Sequence, residues 1–353
     1  MERLTDLSLA ENAAPASHLR TQGSTRRPGG SWKEALAHAV RDPDELITLL
    51  ELPDTLREPA RRAAVRFPFV APRSFVERMR PRDPDDPLLR QVLPLDSELA
   101  ETPGFVADPV GDASAMRAPG LLQKYRGRAL LVASGACAVN CRYCFRREFP
   151  YDEAPRGFDA WRPALDAIAA DPSISEVILS GGDPLVLTDP ALERIVHATA
   201  RIPSVRRLRV HSRLPIVLPE RVNGDLIAWL RGTRLTPVVV VHSNHAAELE
   251  GSCAEALERL VDAGIPVLNQ AVLLRGVNDD ADVLAALCER LVELRALPYY
   301  LNQLDPVRGA AHFHVAEERG LAIVEELRRR LPGYAVPRYV RDTPGAESKL
   351  EVR

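Results

Sequence analysis

The chain is poor in lysine. Of its 46 basic residues only three are lysines, Lys33, Lys124 and Lys349, and the rest are arginine. Arginine therefore supplies the generic surface charge, and a lysine kept against that bias points to a need for its amine. A basic excess is missing too. The 46 Lys and Arg are set against 49 Asp and Glu, for a formal net charge of −3, which excludes a general polyanion binder and predicts no nucleic-acid partner. The longest apolar stretch, "ALLVASGACAV", is too short to span a bilayer, which predicts no membrane association. The N-terminus, "MERLTDLSLAENAAPASHLR", has no continuous apolar segment of the kind a secretory signal needs, so the expected location is cytoplasmic. Cysteine is scarce, five in 353 residues, yet three fall within eight residues, in "CAVNCRYCFR". A reducing compartment would keep such thiols free for a metal rather than paired.

What remains describes an ordinary globular protein. Hydrophobic residues make up 46% and charged residues 27%, and the length allows a core that needs no covalent staples. Residues 1–30 are rich in Pro, Gly, Ser and Arg without periodicity and read as a flexible tail. Residues 31–128 read as a helical region and connector. Their first stretch, "SWKEALAHAVRDPDELITLLEL", opens on a Ser cap and spaces its apolar residues by three and four.

From residue 129 short apolar runs alternate with helical stretches. The runs are "ALLVAS" (129–134), "EVILSG" (176–181), "RLRVHS" (207–212), "PVVVVHS" (237–243), "VLNQAVLL" (267–274) and "YYLNQLD" (299–305). Six strand–helix units call for an α/β fold with a parallel sheet. The nearly continuous apolar runs suggest that both sheet faces are covered. Six units are fewer than the eight of a closed barrel, so residues 129–306 are expected to form a partial (β/α)6 barrel. A C-terminal helix and a short segment, 307–353, should follow. Polar groups gather at the strand ends, where the rim of such a barrel carries its active site.

Cys137, Cys141 and Cys144 follow the first strand in a C-x3-C-x2-C spacing with no fourth cysteine near. Three thiolates suit zinc or an iron–sulfur cluster. Structural zinc wants a fourth protein ligand, and no His lies at a suitable short spacing. A [4Fe–4S] cluster on three cysteines leaves one iron open to a small molecule. Cys253 and Cys288 sit in helical stretches and read as buried thiols. After the second strand, "LSGGDPL" places Ser180, Gly181, Gly182 and Asp183 in a turn whose glycines let backbone approach a ligand closely.

The phrases "CRYCFRREF", "LSGGDPL", "HSRLPIVLPERV", "LNQAVLLRGVND" and "PYYLNQLD", in this order and from roughly Tyr125 onward, resemble the lysine 2,3-aminomutase family of radical S-adenosylmethionine (SAM) enzymes. The resemblance implies a radical SAM partial barrel with an N-terminal helical extension. It implies a [4Fe–4S] cluster on Cys137, Cys141 and Cys144, with SAM held by the Ser180–Asp183 turn and by His211 and Gln270. Cleavage of SAM would need an external electron donor such as a flavodoxin or ferredoxin. The family also uses pyridoxal phosphate to carry the migrating amine. Lys349, seven residues beyond Asp342, matches its Schiff-base lysine, although "GAES" replaces a glycine-richer run. Lys124, Tyr125 and Arg128 match its phosphate contacts. Arg146 matches the arginine that grips the substrate carboxylate, where a planar guanidinium suits a bidentate contact. Asp305 and Asp342 match the pair that holds the distal ammonium of L-lysine. A substrate lacking that amine would leave both carboxylates unpaired, which argues for lysine.

Only "LEVR" follows Lys349, whereas the aminomutases of free-lysine catabolism continue with zinc-binding cysteines. In this the chain resembles the branch that makes (R)-β-lysine for elongation factor P, where a separate ligase attaches the product. A stand-alone enzyme making free β-lysine, and a zinc or iron–sulfur binding module, are the alternative readings.

Overall fold

A computed structural model describes residues 31–353 of the chain, so the tail expected at 1–30 lies outside the described residues. Residues 31–353 form one compact unit.

The single helical stretch expected at 31–52 is two helices, α1 (Trp32–Ala37) and α2 (Pro43–Leu49). Ser31 and Glu34 form a reciprocal capping box at the start of α1, which satisfies two backbone donors at once. The break follows from Asp42-Pro43. Proline is tolerated in a first helical turn but not in an interior, and Asp42 caps the new start through Asp44 N at 2.9 Å. The rest of this region is α3 (Arg57–Arg66) and two single turns, α4 (Arg73–Val76) and α5 (Pro87–Arg90).

One ten-stranded sheet organises the remainder, its strands running in chain order from edge to edge. β1 (Met116–Ala118) and β2 (Leu121–Leu122) form an antiparallel entry to β3 (Arg128–Ser134). β4 (Glu176–Gly181), β5 (Arg207–Ser212), β6 (Thr236–His242), β7 (Val267–Val272), β8 (Leu297–Asn302) and β9 (Arg338–Arg341) then add in parallel. β10 (Leu350–Glu351) closes the far edge antiparallel to β9. The parallel run thus has seven strands where the apolar runs predicted six, and the sheet stays open between β1 and β10. β9, "RYVR", escapes a sequence reading because its charged ends mask its two buried residues, Tyr339 and Val340. The edge strands are two or three residues long and carry no periodic signal.

The crossover helices are α6 (Arg162–Ala170), α7 (Asp189–Ala200), the short α8 (Leu214–Val217), α9 (Gly224–Arg231), α10 (Ser252–Asp262), α11 (Ala281–Glu293) and α12 (Glu317–Arg330). Together they cover one face of the sheet. Leu208 and Val210 of β5, Val267 and Ala271 of β7, and Leu301 of β8 share a continuous core with Leu192, Leu257 and Leu287 of those helices. The intervening residues, Arg209, His211, Gln270, Val272, Tyr300 and Asn302, line a cavity on the other face. The expectation of two covered faces is therefore corrected: this face is kept open and polar near the rim. Side chains alternate along a strand, so the same six residues of β5 or β7 can build a core and a binding surface. Among the described residues no helix is long and apolar enough to cross a membrane.

Candidate active site

Parallel strands put all their C-terminal ends on one rim, and the candidate residues converge there. The loop after β3 carries Cys137, Cys141 and Cys144, all free thiols. Its shape is imposed from outside. Asn140 N donates to Val70 O at 3.1 Å and Arg142 N to Gln91 O at 2.9 Å, both in the N-terminal helical region. Arg142 is fully buried and makes a two-pronged contact with Glu98 (Nε–Oε1 2.8 Å, Nη2–Oε2 2.6 Å), and Arg147 Nη2 reaches the same carboxylate at 2.7 Å. Bidentate guanidinium–carboxylate pairs fix orientation as well as distance, so the two arginines flanking Cys144 clamp the loop.

The three thiols share a cavity of about 150 Å³ with Ser180, Gly181, Gly182, Asp183 and Arg213. Burial pushes the Cys144 thiol up to about 11, against the pull of Arg146 and Arg147, and Cys137 well above its ordinary value. Among the described residues no group of three or more His, Cys, Asp or Glu is set to hold a single metal ion. The donor set suits a [4Fe–4S] cluster, which takes thiolates only and here would keep one iron without a protein ligand. Cys253 and Cys288 are buried in α10 and α11, as expected.

The glycine turn is pressed against the cysteine loop. Gly181 has φ +115°, and a Cβ there would lie 2.7 Å from Ser134 O; one on Gly182 would lie 2.5 Å from Ala136 O. Only residues without a side chain let the two segments approach this closely. Asp183, expected at SAM, turns its carboxylate into the fold instead. It accepts from Ser212 Oγ (2.7 Å), Arg213 N (2.7 Å) and Leu185 N (3.0 Å), tying the β4 end to the β5 end. Burial lifts its pKa to about 6 against the pull of these donors.

A second cavity, of about 210 Å³, adjoins the first, and Phe145, Arg146, Ser180, His211, His242 and Gln270 line both. Lys124, Tyr125, Arg128, Asp305, Asp342 and Lys349 line the second. Lys349 Nζ donates to Asp342 and, at 3.1 Å, to Asn302 Oδ1. Asp342 also accepts from the Tyr125 hydroxyl, and Arg128 stacks over the Tyr125 ring at 4.7 Å. Burial pushes the Asp342 carboxyl up, but the Lys349 charge and these donors outweigh it and hold it below the usual range. Asp305 has no such donors among the described residues, and burial raises its pKa to about 7. His211 and His242 are held neutral by burial, His242 near 3, and among the described residues no partner meets His211 Nε2.

All sixteen residues singled out in the sequence line one of the two cavities. Asn302, His242 and Arg213 also line these cavities and were not among the sixteen, and one more residue escaped the sequence reading altogether. Asp112 is buried and accepts from Arg146 Nε at 2.7 Å and Lys124 Nζ at 2.7 Å. Burial pushes its carboxyl up, but the two cations hold it below the usual range. It leaves Arg146 Nη1 without a protein partner among the described residues. Nothing in "DPVGDAS" marks Asp112, since its partners lie 12 and 34 residues away.

An open parallel sheet, a three-cysteine loop after its first parallel strand and a glycine turn after its second, both lining one cavity, define a radical SAM enzyme. The chain is 44% identical to the L-lysine 2,3-aminomutase of Escherichia coli (strain K12) over 334 residues, 94% of this chain and 97% of that one. It belongs to the L-lysine 2,3-aminomutase family. The Haemophilus influenzae relative is 42% identical over 90% of this chain and 94% of its own, and that of Clostridium subterminale 33% over 91% and 77%. No protein-family model matches the chain. Among solved structures, a radical SAM methyltransferase from Sphaerobacter thermophilus is 21% identical, with a TM-score of 0.41 over 62% of this chain and 68% of that one.

Proposed function

We propose that the protein converts L-α-lysine to (R)-β-lysine with pyridoxal phosphate as amine carrier, and that the product is destined for elongation factor P. The observation that carries the first part is the arrangement of charge in the second cavity. Two lysines, three aspartates and three arginines, among them Lys349, Asp305, Asp342 and Arg146, line one cavity whose wall is shared with the cysteine cavity. The cluster, SAM and pyridoxal phosphate, when bound, supply the radical and the aldehyde; the chain supplies the rest. Lys349 offers the amine for the coenzyme, held ready by Asp342 and Asn302. Lys124, Tyr125 and Arg128 offer cationic and hydroxyl donors for its phosphate. Arg146, oriented by Asp112, presents its free edge to the substrate carboxylate. Asp305 and Asp342 would receive the distal ammonium, Asp342 being the carboxylate that Lys349 would release if its amine held the coenzyme. The SAM contacts fall to the backbone of Ser180, Gly181 and Gly182 and to His211 and Gln270, which border both cavities.

The elongation factor P destination rests on the resemblance in the sequence alone, since the Escherichia coli and Clostridium subterminale relatives carry the same name, L-lysine 2,3-aminomutase. Two measurements test the proposal. An anaerobic assay with lysine, SAM, reductant and pyridoxal phosphate should yield β-lysine; deoxyadenosine without a β-amino acid would refute the substrate. Elongation factor P from a strain lacking this enzyme should lose the mass of the β-lysyl group; an unchanged mass would refute the destination and leave a stand-alone aminomutase.

A further inference from the structure

A buried polar network lies behind the cysteine loop, and its centre is Arg213. Its Nη1 donates to Cys141 Sγ at 2.6 Å and to the Tyr143 hydroxyl at 2.7 Å. Its Nη2 donates to Gln91 Oε1 at 2.7 Å and to Glu248 Oε2 at 3.1 Å. Glu248 is fully buried and is anchored by its other oxygen, which accepts from Asn244 N at 2.8 Å, His245 N at 3.1 Å and Gln91 Nε2 at 3.1 Å. The guanidinium keeps its charge at any working pH. A positive group thus sits on a cluster ligand, with one carboxylate balancing it on the side away from the sulfur. Gln91, which bridges the two, comes from the N-terminal helical region.

We propose that Arg213, held between Cys141 and the Gln91–Glu248 pair, sets the reduction potential of the iron–sulfur cluster. Reduction adds one electron, taken from the external donor, to the cluster. A cation and N–H donors at a ligand sulfur stabilise the more negative reduced form more than the oxidised one, so they raise the potential. Bulk water does not screen the contact, because Arg213 and Glu248 are 6% and 0% exposed. Glu248 acts in the opposite sense, by partly cancelling the field of Arg213. The N-terminal helical region thereby gains a part in the chemistry: through the Gln91 amide it holds the charge pair that governs how readily the cluster accepts its electron. Arg213 is a positioning and tuning residue here, and a role of merely tying the fold together predicts no ordered change of potential.

The test is a redox titration of the anaerobically reconstituted cluster, followed by the electron paramagnetic resonance of the reduced form. It uses protein without SAM, lysine or pyridoxal phosphate, so failure of the substrate assignment would not disturb it. At the poise where half of the unaltered protein is reduced, Arg213→Gln should lower the reduced-to-oxidised ratio about tenfold, a shift of about 59 mV for a one-electron couple. Glu248→Gln retains the side-chain shape and removes the opposing charge, so it should shift the ratio the other way. An Arg213→Gln cluster that titrates with the unaltered protein, or two variants that shift in the same direction, would overturn the proposal. If Arg213→Gln fails to assemble a cluster, Glu248→Gln decides alone: an upward shift supports the proposal, and an unchanged or lower potential refutes it.

Discussion

Asp305 should make lysine binding depend on pH near neutrality. Its half-buried carboxylate lines the second cavity without a hydrogen-bond donor among the described residues, and burial raises its pKa to about 7 against the pull of Lys349. The direction is clear. Below that value the group is a neutral acid and offers the substrate ammonium no charge; above it the group is the carboxylate the site needs. Engagement of Lys349 by the coenzyme removes a nearby cation, which would move the titration upward, not downward. One unit to either side of 7 the ionised fraction is about one-tenth and about nine-tenths. The apparent affinity for lysine should therefore fall about tenfold between pH 8 and pH 6. Asp305→Asn should flatten that dependence and weaken binding throughout by roughly 30-fold or more, the low end of losing one partner of an enclosed charge pair. KM for lysine, measured anaerobically across this range in both proteins with kcat recorded separately, checks the reasoning. Asp183, with a pKa of about 6, lines the cysteine cavity and titrates in either protein, so the variant separates the two groups. A KM that stays flat in the unaltered protein, or a slope that survives Asp305→Asn, would refute the assignment.

Lys349→Ala should abolish the visible absorbance of bound coenzyme after gel filtration while the cluster spectrum remains; equal retention of coenzyme would contradict its role. Asp112→Asn removes the shared carboxylate of Lys124 and Arg146 and should cost about 3 kcal/mol of stability, the lower end for breaking a buried pair. It should also raise KM for lysine, and thermal unfolding with steady-state kinetics would show either effect missing. Gly182→Ala forces a methyl against the Ala136 carbonyl and should cost about 1–3 kcal/mol together with most of the SAM affinity, which equilibrium binding would measure.

The periodic signals carried far because they are local. The six expected strands each appear within about two or three residues of their predicted ends. The crossover helices follow the three-and-four spacing that an amphipathic face requires. The cysteine loop was legible because its ligands lie within eight residues of one another. The break at Asp42-Pro43 was written in the sequence as well, since a capping aspartate before proline starts a helix; the longer apolar pattern around it hid the signal. β9 was not legible, because a strand of four residues held between β8 and β10 owes its existence to partners more than to propensity.

The amino-acid sequence by itself determined the alternation of elements, the three-thiol loop, the glycine turn and the one late lysine available for a Schiff base. All of these depend on neighbours a few residues apart, where backbone geometry and side-chain period translate directly into structure. Tertiary structure alone decided which charges meet. Arg146 finds Asp112 across 34 residues, Arg213 finds Gln91 across 122, and Gln91 finds Glu248 across 157. It also brought Lys349 and Asp342, carried on the segment between β9 and β10, beside Asn302 at the end of β8. A buried charge must be paired wherever the fold happens to place it, and no local pattern records where that will be.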